Sequence, residues 1–326
     1  MLPTRKGETM KNRETVRIVA ALAVSALFLS LATVANAAHF SAWGPAQKLD
    51  EIAGNSSEVN TTSLDGCPIQ SPDGLSLFMA SNRPRFAGDT RTDLDIWVAH
   101  RASTAAPWGA PVNLGEPVNS TADDFCPTPI RGNGLFFVSR EALPGSCGLG
   151  DIYLTRLHPV TGWDEPTHLA CAADGGPNTA LDEMGPSYVE VDGAAFLYFS
   201  SGPDIYVSER AADGSFGLAA PVAELNSAAA DIQPNVRKDG LEVVFASNRA
   251  APTAQGLQDV WIATREGVDE PWSAPVNAGL GVNTANNETR PSFSWDAQTL
   301  YFGRSPGPEG MSDIFITTRV KVRGGD

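Results

Sequence analysis

The chain has 326 residues, 42% of them hydrophobic and 19% charged, with four cysteines and a formal net charge of −15. It is too long for a small disulfide scaffold and too apolar for a disordered tail. The acidic balance excludes a nucleic-acid partner, because neutralising a phosphate backbone takes clustered Lys and Arg.

Residues 1–37 read as a cleaved export signal. Arg5, Lys6, Lys11, Arg13 and Arg17 form a basic start, Ile18 to Val34 an apolar stretch, and Ala35-Asn36-Ala37 a small-x-small cleavage site. Met10 opens a better-proportioned version of the same signal, so the start is Met1 or Met10. The first cysteine is Cys67, which leaves nothing to carry a lipid directly after the signal. The segment holds five basic and two acidic residues, so its loss takes the net charge from −15 to about −18. A periplasmic or secreted monomer is expected, without membrane insertion, and residues 38–326 are expected to form a single domain.

Internal repetition decides the fold. Asp, then Ile or Val, then an aromatic occurs at Asp95-Ile96-Trp97, Asp151-Ile152-Tyr153, Asp204-Ile205-Tyr206, Asp259-Val260-Trp261 and Asp313-Ile314-Phe315. Arg101, Arg156, Arg210, Arg265 and Arg319 follow, and short apolar runs such as Leu135-Phe136-Phe137 and Val243-Val244-Phe245 precede; these read as strands. A stricter marker is Asn, Ser or Thr, any three residues, an acid, any two residues, then Pro. It recurs as Asn60…Asp65…Pro68, Asn119…Asp124…Pro127, Asn178…Glu183…Pro186, Asn226…Asp231…Pro234 and Asn283…Glu288…Pro291. Asp73-Gly74, Asn133-Gly134, Asp192-Gly193, Asp239-Gly240 and the weaker Asp296-Ala297 supply hairpin turns.

A fourth element carries Trp43/Pro45, Trp108/Pro111, Trp163/Pro166, Phe216/Pro221 or Trp272/Pro275. Proline suits an edge, so this strand should be the outer one. Four strands repeated radially make an all-β, five-bladed propeller of antiparallel blades. The units close into a ring only if an N-terminal strand, Trp43 to Leu49, completes the last blade.

Ser71-Pro72-Asp73-Gly74, Ala80-Ser81-Asn82-Arg83 and the Asp-Ile-aromatic tripeptides resemble the WD-like, TolB-type β-propeller repeat of exported bacterial proteins. The resemblance covers about residues 43–319. It implies a propeller fold and either an envelope-protein partner or a propeller enzyme.

Strand alternation places Asp65, Asp124, Glu183, Asp231 and Glu288 on one face near the channel mouth. Arg83, Arg140, Arg249 and Arg304 share that face, and the Asp-Gly turns lie opposite. Two readings compete: each acid accepts local backbone donors or a repeat Arg while each Asn makes an Asx turn, or the ring of acids recruits a cation. Blade three breaks the pattern, since Ser200-Ser201-Gly202-Pro203 has no Arg, leaving Asp182 and Glu183 without the partner seen elsewhere. The cysteines suggest the pairs Cys67–Cys126 and Cys147–Cys171. Most of the seven Trp follow the repeat and read as core between blades, and no His set has metalloprotease spacing.

The expected function is a non-catalytic module that binds an envelope protein or carbohydrate through the acid-rich face, without a cofactor. A glycoside-acting enzyme is the alternative, with Glu183 and Asp124 or Asp231 as its carboxyl pair. Ca²⁺ in the channel is a further expectation, because oxygen ligands are abundant there.

Overall fold

The computed structural model describes residues 39–322; the export signal expected over residues 1–37 lies outside the described residues. Five four-stranded antiparallel blades are arranged as a propeller. Blade 1 comprises Asp65–Gln70, Ser76–Ser81, Asp95–His100 and Val112–Asn113. Blades 2, 3 and 4 begin with the inner strands Asp124–Ile130, Glu183–Val191 and Asp231–Val236. Blade 5 takes Asn287–Phe293, Thr299–Ser305 and Asp313–Thr318 from the end of the chain. Its outer strand is Gln47–Lys48, with Gln47 opposite Ile316, so the predicted closure by the N-terminal strand is present.

The outer strands are shorter than expected. Four blades keep only a two-residue outer pairing, and in blade 2 two such pieces, Gly162–Trp163 and Thr167–His168, flank one strand. The prolines remove ladder donors there, and the aromatic side chains turn inward instead. Trp108 and Trp272 are buried, each beneath a repeat arginine: Arg101 at 4.1 Å and Arg265 at 4.3 Å from the ring.

Second and third strands carry the core. Leu77, Met79, Trp97 and Ala99 of blade 1 pack with Tyr301 and Ile314 of blade 5, and equivalent clusters fill the other junctions. Each such side chain stabilises the ring by about 1.5–3 kcal/mol on burial.

Both sequence markers have one cause. The marker Asn does not form the expected Asx turn; its side-chain amide pairs with the backbone of the Ile or Val in the preceding blade. Asn119 accepts from Ile96 N at 2.8 Å and donates to Ile96 O at 3.0 Å. Asn60 with Ile314, Asn178 with Ile152, Asn226 with Ile205 and Asn283 with Val260 repeat this pair. Each amide thus satisfies an edge N–H and C=O and stitches one blade to the next, four of the five from buried positions.

Candidate functional site at the ring axis

On the acid face the five carboxylates do not ring the channel mouth. Asp65, Asp124, Glu183, Asp231 and Glu288 are all 0% exposed. Each turns into the loop before it and accepts from the Ser or Thr four residues earlier, such as Thr61 N to Asp65 at 2.6 Å and Ser227 N to Asp231 at 2.6 Å. Asp124 takes Ser120 N at 2.5 Å, Glu183 takes the Thr179 hydroxyl at 2.6 Å, and Glu288 takes the Thr284 hydroxyl at 2.6 Å. That geometry explains the spacing of the marker: the residue after Asn caps the acid.

The blades differ in what neutralises these acids. Arg83 pairs with Asp65, Arg249 with Asp231, and Arg304 Nε with Glu288 at 2.7 Å. Glu183 has no arginine, as expected. Asp182 does, contrary to expectation: Arg140 reaches across from blade 2 to it at 2.6 Å and to Asp123 at 3.0 Å. That leaves Asp124 without its arginine as well. Burial pushes the Asp124 carboxyl up to about 6 and the Glu183 carboxyl up to about 7. One oxygen of each has no hydrogen-bond partner.

The axis is lined by the residue just before each marker Pro: Cys67, Cys126, Gly185, Gln233 and Arg290. All five adopt left-handed backbone, with φ of 48°, 51°, 61°, 55° and 47°. Each inner strand shifts register there, a bulge that aims the residue at the centre.

Arg290 closes the passage. It is fully buried, and its guanidinium donates to Pro234 O at 3.2 Å, Pro186 O at 3.0 Å and Thr128 Oγ1 at 2.9 Å. A Cβ on Gly185 would lie 2.6 Å from Gln233 Cα and 3.1 Å from Arg290 Nη1, so only glycine leaves room.

Of the expected cysteine pairs, Cys147–Cys171 is bonded. Cys67 and Cys126 are free thiols with their sulfurs 2.7 Å apart, so that expected bond is not formed. Cys147, Asp151 and His168 approach one another closely enough to suggest a metal site. The Cys147 sulfur is spent in its disulfide and offers no thiolate.

A cavity of about 120 Å³ lies on the axis at the opposite, hairpin face. Its deep part holds the buried Thr128, Ser187 and Asn235. Thr128 receives Arg290 from below, so the arginine layer is the cavity's base. The rim is Arg131, Glu190, Lys238 and Trp295. Tyr188 O–H donates to Glu190 at 2.6 Å, and burial with the Glu190 charge pushes its phenol up to about 12. Arg131 and Lys238 sit 5.0 and 5.1 Å from the Trp295 ring centre. Arg237 is neutralised by Asp239 and Glu242.

None of these rim residues was singled out from the sequence. A signal existed: the two residues ahead of the turns read Ser71-Pro72, Arg131-Gly132, Glu190-Val191, Arg237-Lys238 and Ser294-Trp295, different in every blade.

No family model matches the chain, and no curated protein matches it. Solved structures share its architecture. A thermostable family-43 glycoside hydrolase aligns over 83% of this chain and 94% of its own, with a TM-score of 0.51 and 14% identity. The family-43 endo-arabinanase of Bacillus licheniformis aligns over 79% and 94%, at 0.52 and 12%. The xylan β-1,4-xylosidase of Bacillus halodurans aligns over 83% of this chain but 55% of its own, at 0.51 and 12%.

At these identities the likeness carries the fold, a five-bladed propeller. It also corrects two expectations. The structural neighbours are glycoside hydrolases rather than WD-like or TolB-type proteins. The non-catalytic module binding through its acid-rich face is set aside, because the acids of that face are enclosed in their own loops and the solved structures named above are glycoside hydrolases.

Proposed function

We propose that the protein is a glycoside-acting enzyme that takes a sugar ring into the axial cavity of the hairpin face. The observation that carries this reading is the cavity itself. It is concave, closed below by the Arg290 layer, and lined by Gln70 of blade 1, Tyr188 and Glu190 of blade 3 and Asn235 of blade 4 around one small volume. Convergent polar groups on a partly apolar wall are what a sugar site requires. The glycoside hydrolases that share the architecture support the class.

Glu190 is the one carboxylate lining that cavity. Glycosidic cleavage needs a carboxylate at the reacting bond as base or nucleophile, with a proton donor beside it. Tyr188 keeps its proton at neutral pH and donates to Glu190, which orients the carboxylate. Asp124 and Glu183, with raised pKa values, are suited to proton donation but buried away from solvent. We therefore give the reacting role to Glu190.

The test is incubation of the protein with arabinan, xylan, galactan and uronate-containing oligosaccharides, reading new reducing ends. We expect release from at least one, and a loss of about 10²-fold or more in Glu190→Gln with the melting temperature unchanged. Release from none of them, or a fully active Glu190→Gln, overturns the reading.

A further inference from the structure

We propose that the sugar taken by the axial cavity carries a carboxylate, and that Arg131 and Lys238 receive it. This rests on the carbohydrate reading and names the substrate class within it.

The first ground is charge. The chain is strongly acidic at −15, yet the cavity rim holds two cations that have no hydrogen bond or ion pair among the described residues. Other arginines of this face are occupied. Arg101, Arg156, Arg210 and Arg265 donate to turn carbonyls at Gly74, Gly132, Gly214 and Gly240, and Arg237 and Arg319 share the buried Glu242. Glu190 contributes one negative charge to the rim, and the Arg237 charge is cancelled by its own acids. The rim therefore remains net positive, and the excess resides on Arg131 and Lys238.

The second ground is positioning. Long cationic side chains on a surface usually lose rotamer entropy when a ligand fixes them. Here both lie against a single indole, Trp295, at 5.0 and 5.1 Å from its centre. Cation–π attraction holds an exposed cation by about 0.5–1 kcal/mol, so the pair is gathered before a ligand arrives. Arg131 belongs to the blade 2 hairpin, whereas Lys238 and Trp295 come from the hairpins of blades 4 and 5. No repeat-wide structural demand places all three together.

The third ground is shape. Arg131 also borders a second depression between the hairpins of blades 1 and 2, lined by Phe78, Leu157 and Trp163. A chain of sugars leaving the axis toward that groove would pass the Arg131 guanidinium, whose planar fork matches a carboxylate.

Binding is measured by calorimetry on the full mature protein, with galacturonate and glucuronate oligomers beside neutral galactose and glucose oligomers of equal length. Acidic oligomers should bind at least tenfold more tightly than their neutral counterparts, and the preference should shrink as salt rises. Arg131→Gln with Lys238→Gln should abolish the preference. Lys321→Gln, which removes a cation outside the cavity, should leave it intact. Equal affinity for acidic and neutral oligomers, a preference that survives in the double variant, or displacement of the acidic oligomer by equimolar sulfate overturns the proposal. Binding or cleavage confined to neutral oligomers overturns this inference alone, whereas no binding and no cleavage of any oligomer overturns the carbohydrate reading beneath it.

Discussion

On the acid face, five carboxylates recur in register and every one is buried in the loop that precedes it. On the hairpin face, the two residues ahead of each turn differ from blade to blade, and several stand around an axial cavity. Repetition on the first face maintains the ring: an acid that appears in every blade solves a problem every blade has. Function by contrast needs asymmetry, because a small ligand binds in one orientation and a fivefold surface has five equivalent ones. Arg290 separates the two regions and belongs to neither pattern, since the other blades place Cys, Gly or Gln at its position.

The contrast can be broken first at that boundary. Arg290→Ala removes three good donors from buried oxygens and leaves a cavity, and should lower stability by about 3–5 kcal/mol in urea titration. A loss below about 1 kcal/mol would mean that the inner strands hold the axis unaided. Glu288→Gln comes next. It leaves the Arg304 guanidinium without its carboxylate, at a cost of about 3 kcal/mol or more. Glu183→Gln, by comparison, should cost little at pH 5, because its carboxyl is already protonated there in the folded chain. If the two substitutions were equally destabilising at pH 5, the distinction between clamped and unclamped blades would fail. Removing the Cys147–Cys171 bond with Ser at both positions frees a loop spanning 24 residues and should cost about 3 kcal/mol.

A last test sharpens the picture through pH. Glu183 titrates near 7 in the folded chain against an ordinary 4.5, and Asp124 near 6 against 3.8. Between those values the folded state binds more protons than the unfolded one, so stability falls as pH rises. The decline should run from about pH 4 to pH 7 and amount to a few kcal/mol for the two together. Glu183→Gln should remove the Glu183 share and leave only the Asp124 decline, ending near pH 6. A wild-type profile flat across that window would show that neither carboxyl is raised.

The fold was legible because its signals are periodic. Asp-Ile-aromatic tripeptides mark third strands, and the Asn-to-Pro marker brackets the loop into each inner strand. The site was far less legible, for two physical reasons. An acid's position in a repeat gives its face but not its burial, so the sequence left Asp65 and its counterparts between local capping and a shared cation site, and the loops that enclose them decide for local capping. The axial residues are placed by a bulge that only backbone geometry reveals, and the rim by residues that share no type. Trp295 resembled the six other tryptophans in composition, yet it alone lies ahead of a hairpin turn. Arg140 shows the same limit: its place in the repeat predicts a bond to Asp124, and a competing pair, Asp123 and Asp182, diverts it.

The joining of Gln47 to Ile316 has a consequence for the order of assembly. Every other blade can form from contiguous chain, but the fifth must wait until nearly the whole polypeptide is available. The thermodynamic penalty for so long a loop grows only logarithmically with its length. The delay in time is another matter, since contacts this far apart in sequence slow folding. Until the last strand docks, the third strand of blade 5 is an uncovered edge that invites pairing with another chain. The interval between synthesis and docking is therefore when this protein is most exposed to aggregation.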